Sequence, residues 1–381
     1  MSVQHSIPLS WFPEKIRRHV DPAAPVPLRM MGARAMVPAP PEELVPMLVA
    51  LSMDPDTSIS DAARQSLRSM RADLVQSAAR APLHPAALDG LVDAFGRDAG
   101  ILESVLRNNN TPDETFARLA RSVDESLTEL IAQNEVRALR FPAIIEGLFL
   151  NINARTSTID RLIDLARRNK LTFEGLPALQ HMVEDERYVP GQDKPSDGSL
   201  FKKILAESLA EEAAKEAEEA HLPETEQIKR REIEQEHVEE RKSSNRAAEM
   251  LNMSISEKVR LAVLGSRADR DVLIRDGNRL IHMSAVTSPK NQLKDIVAWS
   301  ANKQLPENVV IYIANNGKYK RNYNIILNLC NNPKTPLVEA ARLMQQLQAK
   351  DLANLIKNRN VSGNLRRMAA ALRDQRMKKK H

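Results

Sequence analysis

The densest concentration of chemistry-bearing side chains is Gly317-Lys318-Tyr319-Lys320-Arg321-Asn322-Tyr323, three cations and two tyrosines in seven residues. Lysine and arginine neutralise phosphate or carboxylate, and tyrosine rings stack on bases, so the pattern suits an anionic partner or a single-stranded nucleic acid. Lys290 and Lys294 before it, and Arg366-Arg367 after it, extend a basic stripe. A second reading has Tyr319 and Tyr323, spaced i,i+4, anchoring a contact between helices while the cations are solvated. Lys290, Lys294, Lys318, Tyr319, Lys320, Arg321, Tyr323, Arg366 and Arg367 form the candidate partner-binding set. The tail Arg376-Met377-Lys378-Lys379-Lys380 adds phosphate affinity without specificity.

Catalytic patterns are sparse by comparison. No glycines are spaced as GxGxxG or as a P-loop, which excludes a glycine cradle for phosphates. The eight histidines (His5, His19, His84, His181, His221, His237, His282, His381) never stand three or four residues apart, so no local metal motif exists. The single cysteine, Cys330, excludes an internal disulfide and a Cys-based zinc site and reads as a small core residue. His282 lies in the apolar stretch Leu280–Met283 and reads as core. Glu103, Asp113 and Asp124 lie on polar faces, and no spacing makes them an acid/base pair. Trp299, with Asp295 one turn away, would suit a base-excision glycosylase only beside a concave basic pocket. The expectation is therefore no enzyme, no cofactor and no metal.

Charge is divided along the 381 residues. Residues 41–187 carry 16 Lys/Arg against 23 Asp/Glu, residues 207–243 carry 6 against 13, and residues 251–381 carry 24 against 9. The net charge of +5 therefore conceals a C-terminal third at +15. Such a field attracts an acidic protein, nucleic acid or an anionic surface, or the acidic parts of the same chain.

The elements that must carry these residues are helical. Aromatics make up only 3% of the chain and there are 12 glycines, a composition poor in strand formers and turn glycines. Leu44, Leu48 and Leu51, then Leu88, Leu91, Val92 and Phe95, recur at helical spacing. Further amphipathic stretches follow at Leu102–Leu106, Phe116–Ala120, Leu127–Ala132, Ile144–Phe149 and Ile159–Ala166. Helices this short need neighbours to cover their apolar faces.

Internal repetition is the strongest signal. Thr111-Pro112 matches Thr335-Pro336; six residues after each Thr comes Ala-Arg-Leu, and twenty-three after each is Asn134 or Asn358. Asn108-Asn109 and Asn331-Asn332 precede them, with one extra residue before the second Thr. Thr is a good N-cap and Pro is favoured at the first helical position, so Thr111 with Glu114 reads as a capping box, and Ser288-Pro289 as an equivalent start. The asparagines fall where helices end, in αL or turn conformations.

Asn-Asn-x-Thr-Pro followed by Leu119-Ala120-Arg121 resembles the leucine-rich-repeat-variant type of bacterial repeat. Asp54-Pro55-Asp56 with Ala62-Ala63 and Leu67 resembles the second helix of a HEAT repeat, and the run from Asp276-Gly277-Asn278 to Asn358 resembles bacterial HEAT-like proteins. The resemblance covers about two thirds of the chain. It implies an α-solenoid, with protein binding as its usual use, and it transfers no catalytic residue.

The expected organisation is all-α: two HEAT-like blocks joined by a charged helical connector. The boundaries are a Pro-rich disordered tail at 1–40, a helical-repeat block at 41–187, a loop and acidic connector at 188–250, a basic block at 251–377 and a basic tail at 378–381. In the first segment Trp11 and Phe12 read either as a docking motif or as a cap on the adjacent helix. In the connector Glu211→Lys215 and Glu226→Arg230 are supportive pairs, and exposed helices are expected to break near Pro223. Ile204, Leu205, Leu209, Ile228, Ile233 and Val238 keep no heptad, which leaves a solvated connector, a dimer arm, or docking on the basic block as readings. No apolar run is long enough to cross a membrane and no signal segment is present, so a cytoplasmic location is expected. The expected function is a non-enzymatic protein-binding scaffold whose basic block recognises an acidic partner. The alternatives are nucleic-acid binding by that block and, remotely, a glycosylase on a HEAT-like scaffold.

Overall fold

The computed structural model describes residues 6–192, 198–219 and 246–378, and among them every regular element is a helix. Two compact units divide the chain, residues 1–173 and 174–381. The division falls within the block expected at 41–187, because the helix Pro177–Glu184 packs on Arg279–Thr287 of the second unit. Pro223, Glu226, Arg230, Ile228, Ile233, Val238, His221 and His237, with Lys379 and Lys380, lie outside the described residues.

In the first unit several short helices lie against the next but one. Pro41–Leu51 packs on Ala72–Arg80, which packs on Ala99–Leu106, which packs on Glu125–Gln133. Thr57–Ser69 touches Pro85–Phe95, and Asp113–Ala120 packs on Ala143–Leu150. The local reasons are simple. In Thr57–Ser69, Asp56 accepts the Ser58 N–H at 2.9 Å as N-cap, and Ile59, Ala63 and Leu67 line one buried stripe. Each large buried aliphatic side chain there is worth about 1.5–3 kcal/mol. Gly147 permits close approach, since a Cβ would sit 2.8 Å from the Ala117 carbonyl oxygen on the facing helix.

Residues 6–40 are ordered into helices, contrary to the expected disordered tail. The prolines that argued against helices mark their starts: Pro13 is the N-cap of Glu14–Val20, Pro25 of Val26–Ala33, and Pro40 of Pro41–Leu51. The missing N–H costs nothing at those positions. Phe12 and Ile16 are buried, and Trp11 meets Phe12 and His84 edge to face at 5.3 and 6.1 Å. Trp11 thus lies against the N-cap of Pro85–Phe95.

The turns follow one rule that differs from the expected one. Asn108, Asn151, Asn302, Asn316, Asn332 and Asn358 each accept the N–H of the residue two further on, at 2.9–3.0 Å. Asp54 and Asp276 do the same with Asp56 and Asn278. None of these residues is in αL; the side-chain bond closes the turn with extended backbone. Several of the same amides also reach back across the packing. Asn108 Nδ2 donates to the Ala79 and Ala81 carbonyls, Asn151 Nδ2 to Ala120 and Val123 at 2.9 Å, and Asn332 Nδ2 to Asn302. Such bonds recur at separations of 25 to 31 residues, which is the structural repeat.

Thr111 and Thr335 also act backwards. Their hydroxyls donate to the Val105 and Leu329 carbonyls at 2.6 Å, and the N-caps of the following helices are Pro112 and Pro336. The capping box expected between Thr111 and Glu114 is therefore absent. Ser288 ends a helix, and Gln292 caps the next one with Asp295. True capping boxes sit at Ser254/Glu257 and Ser266/Asp269.

Replacing Asn151, which is 1% exposed, should expose the importance of the cross-repeat bonds. Asn151→Ala removes the donor to the Ala120 carbonyl and one of the two donors to the Val123 carbonyl, which keeps Asn153, and is expected to destabilise the first unit by about 2 kcal/mol. Asn316→Ala removes a half-exposed turn bond and should cost about 1 kcal/mol. Urea denaturation midpoints check both.

Candidate functional site

Each unit holds cations paired with carboxylates and cations left exposed. In the first, arginines pair with carboxylates one repeat away: Arg118 with Asp89 at 2.7 Å, Arg140 with Asp113 at 2.7 Å, Arg155 with Glu125 at 2.7 Å and Arg161 with Glu135 at 2.8 Å. Arg137 is buried over the Phe116 ring at 4.1 Å and donates to the Asn109 and Thr111 carbonyls. In the second unit Lys294, Lys318, Lys320, Arg321, Arg366 and Arg367 make no ion pair among the described residues.

The second unit's helices set where these cations lie. Ile255–Leu264 packs on Arg279–Thr287, which packs on Glu307–Asn315. The helices between them, Leu293–Ala301, Tyr323–Asn331 and Ala349–Lys357, pack on one another in turn. The three intervening helices run in the same direction. Asn328 of one meets Val297 and Ser300 near the end of the preceding helix, and Tyr323 at its start meets Gln348 and Asp351 at the start of the following one. Turns entering these helices therefore form one edge, and turns leaving them form the opposite edge.

The entering edge gathers most of the candidate set. Lys290 reaches the Leu264 and Gly265 carbonyls of the neighbouring turn and acts as a cross-repeat latch. Lys294 stands exposed in the first turn of Leu293–Ala301, where the helix dipole disfavours a cation. Lys318 and Arg321 are exposed, Lys320 is half-buried, and Gly317 faces open space. Lys350, which the sequence did not single out, opens Ala349–Lys357 on the same edge, exposed and without an ion pair. Its signal was only its place at a helix start. Arg376 bridges the Gln345 and Leu347 carbonyls there.

Arg366 and Arg367 lie elsewhere. They open Gly363–Lys378, which follows the leaving edge at Asn358, where Lys303, Lys357 and Arg359 are also exposed. The stripe expected from Lys290 to Arg367 is thus split between two edges.

The tyrosines are structural in part. The Tyr323 hydroxyl donates to Asp351 and accepts the Gln348 N–H at 3.0 Å, which ties one repeat to the next. Tyr319 belongs to the separate 3₁₀ turn Tyr319–Arg321 and is half-buried, with its hydroxyl pushed up by burial. The two rings therefore do not share one α-helix.

Nearer the start of this unit the charges are buried and compensated. Asp269 is fully buried, bonded to Ser266 and facing Arg246 at 3.5 Å; Arg267 pairs with Asp295 at 2.9 Å. The Trp299 indole N–H donates to Asp271 at 2.5 Å, not to Asp295, and Trp299 is 4% exposed. Burial raises the Asp271 carboxyl. Trp299 and Asp295, the pair singled out in the sequence, are both buried. The start of the connector, Ser199–Glu219, is docked rather than solvated: Phe201, Ile204 and Leu205 are buried against Ile255–Leu264, and Arg260 lies 4.5 Å over the Phe201 ring.

Among the described residues no three His, Cys, Asp or Glu side chains gather as a metal-binding group, and no helix is long and apolar enough to cross a membrane. Cys330 is buried, its thiol pushed up to about 12. No family model, curated protein or solved structure matches the chain. The HEAT-like resemblance rests on its turn motifs.

His181 and His282 stand on the packed helices Pro177–Glu184 and Arg279–Thr287, and burial holds both rings below the ordinary imidazole value. The unfolded chain takes up these protons below about pH 6.5 while the folded rings stay neutral. Their contribution is thus present above that pH and lost as pH falls, so the second unit should weaken on acidification. His181→Phe with His282→Gln should flatten the decline in thermal midpoint between about pH 7 and 5. Tyr323→Phe should lower stability by about 1–2 kcal/mol, read from denaturant midpoints.

Proposed function

We propose that the chain is a non-enzymatic, cytoplasmic α-solenoid scaffold of two HEAT-like units, and that its basic second unit recognises an acidic protein partner. One observation carries the reading: Lys294, Lys318, Lys320, Arg321 and Lys350 stand on neighbouring turns of the second unit with no ion pair among the described residues. A same-sign field of this kind steers and selects an oppositely charged surface. An acidic protein is favoured over single-stranded nucleic acid because the hydroxyl of Tyr323 holds two repeats together and Tyr319 is half-buried, so neither ring is a free stacking platform.

The test is binding of the full chain to a glutamate-rich peptide and to a charge-matched single-stranded oligonucleotide over a range of salt. The reading predicts that the peptide binds at least as tightly as the oligonucleotide, with affinity falling steeply with salt for both. An oligonucleotide preference that persists at high salt would move the assignment to nucleic acid.

A further inference from the structure

The second unit already seats carboxylates of its own chain at one end of the entering edge. Glu212, on the acidic helix Ser199–Glu219, accepts the Arg267 N–H at 3.2 Å in the turn that opens this edge. One residue earlier, Glu211 pairs with Arg246 at 3.0 Å. Asp271 and Asp295 complete the neutralisation of Arg267. The next turn is tied directly to this one, because Lys290 donates to the Leu264 and Gly265 carbonyls. Beyond it the compensation stops: Lys294, Lys318, Lys320, Arg321 and Lys350 have no carboxylate partner among the described residues.

We infer that this edge, from Lys294 through Lys318–Arg321 to Lys350, is the docking site of an acidic peptide segment of the partner, which continues the row of carboxylates begun by Glu211 and Glu212. This rests on the acidic-partner reading above and adds where and how the partner sits. Charge complementarity names the occupant. The chain meets the first turn of the edge with glutamates, and the unmet turns carry four lysines and one arginine. Lysine is a mobile point charge, suited to a run of carboxylates in an extended or loosely ordered segment; bidentate recognition of one fixed group would favour arginine. A cation in the first turn of Leu293–Ala301 or Ala349–Lys357 opposes the helix dipole, and a bound carboxylate relieves both unfavourable terms.

The opposite edge supplies a matched control. Lys318→Gln/Lys320→Gln/Arg321→Gln removes two lysines and one arginine from the entering edge. Lys303→Gln/Lys357→Gln/Arg359→Gln removes the same three charges from exposed positions on the leaving edge. Net charge changes equally, so only location differs. Full-length variants are titrated with a fluorescein-labelled glutamate-rich peptide, and circular dichroism verifies that they are folded. The expected result is a loss of about tenfold or more for the entering-edge variant and under about twofold for the other. Carbodiimide cross-linking of the peptide to the unmutated protein gives a second reading, independent of variant folding: cross-links at Lys294, Lys318, Lys320 and Lys350 support the site, and cross-links mainly at Lys303 and Lys357 overturn it. Equal losses in both variants would overturn the edge assignment while leaving the acidic-partner reading intact. Failure of the unmutated protein to bind the peptide would overturn both.

Discussion

Short helices leave orphan carbonyls at every turn, and here the neighbouring repeat supplies the donors. Asn108, Asn151 and Asn332 close their own turns with the side-chain oxygen and use the side-chain amide to satisfy carbonyls about one repeat back. Arginine and lysine do the same at other turns: Arg137 on Thr111, Lys290 on Leu264, Lys334 on Leu305, Arg376 on Leu347. Because a buried unpaired carbonyl is costly, these bonds fix the register between neighbours as well as adding stability. The apolar stripes supply adhesion, and the turn side chains decide where each helix stops.

This constraint also sorts the charges. Cations engaged as latches or paired across a repeat are unavailable to a ligand, which covers Arg118, Arg137, Arg140, Arg155 and Arg161 of the first unit and Lys290, Lys334 and Arg376 of the second. The proposed partner surface is the part of the remainder on the edge where the chain enters Leu293–Ala301, Tyr323–Asn331 and Ala349–Lys357, next to a turn neutralised by the chain's own glutamates.

Much of the helical character was legible in the sequence, because Leu/Ile periodicity and the Asn-x-x-Thr-Pro recurrence are local signals. The direction of the turn bonds was not. Thr111 looked like an N-cap for the helix ahead, yet its hydroxyl serves Val105 behind it, a choice set by packing rather than by the four-residue pattern. Residues 6–40 were misread because proline density was taken as a helix breaker, although Pro13, Pro25 and Pro40 each stand at a helix start. In the candidate site, the cluster at Lys318–Arg321 was visible from composition. Lys350 was invisible, because only the return of the chain brings it to the same edge. Arg366 and Arg367 were grouped with that cluster on charge alone, and the alternation of edges separates them.

The central claim is that one edge of the second unit, and not its basic charge as a whole, engages an acidic partner. Hydrogen-exchange mass spectrometry of the full chain with and without a saturating glutamate-rich peptide tests it most directly. The account predicts protection confined to the turns around 288–294, 316–323 and 345–351. Protection spread equally over the turns at 302–306, 332–336 and 358–362 would contradict it.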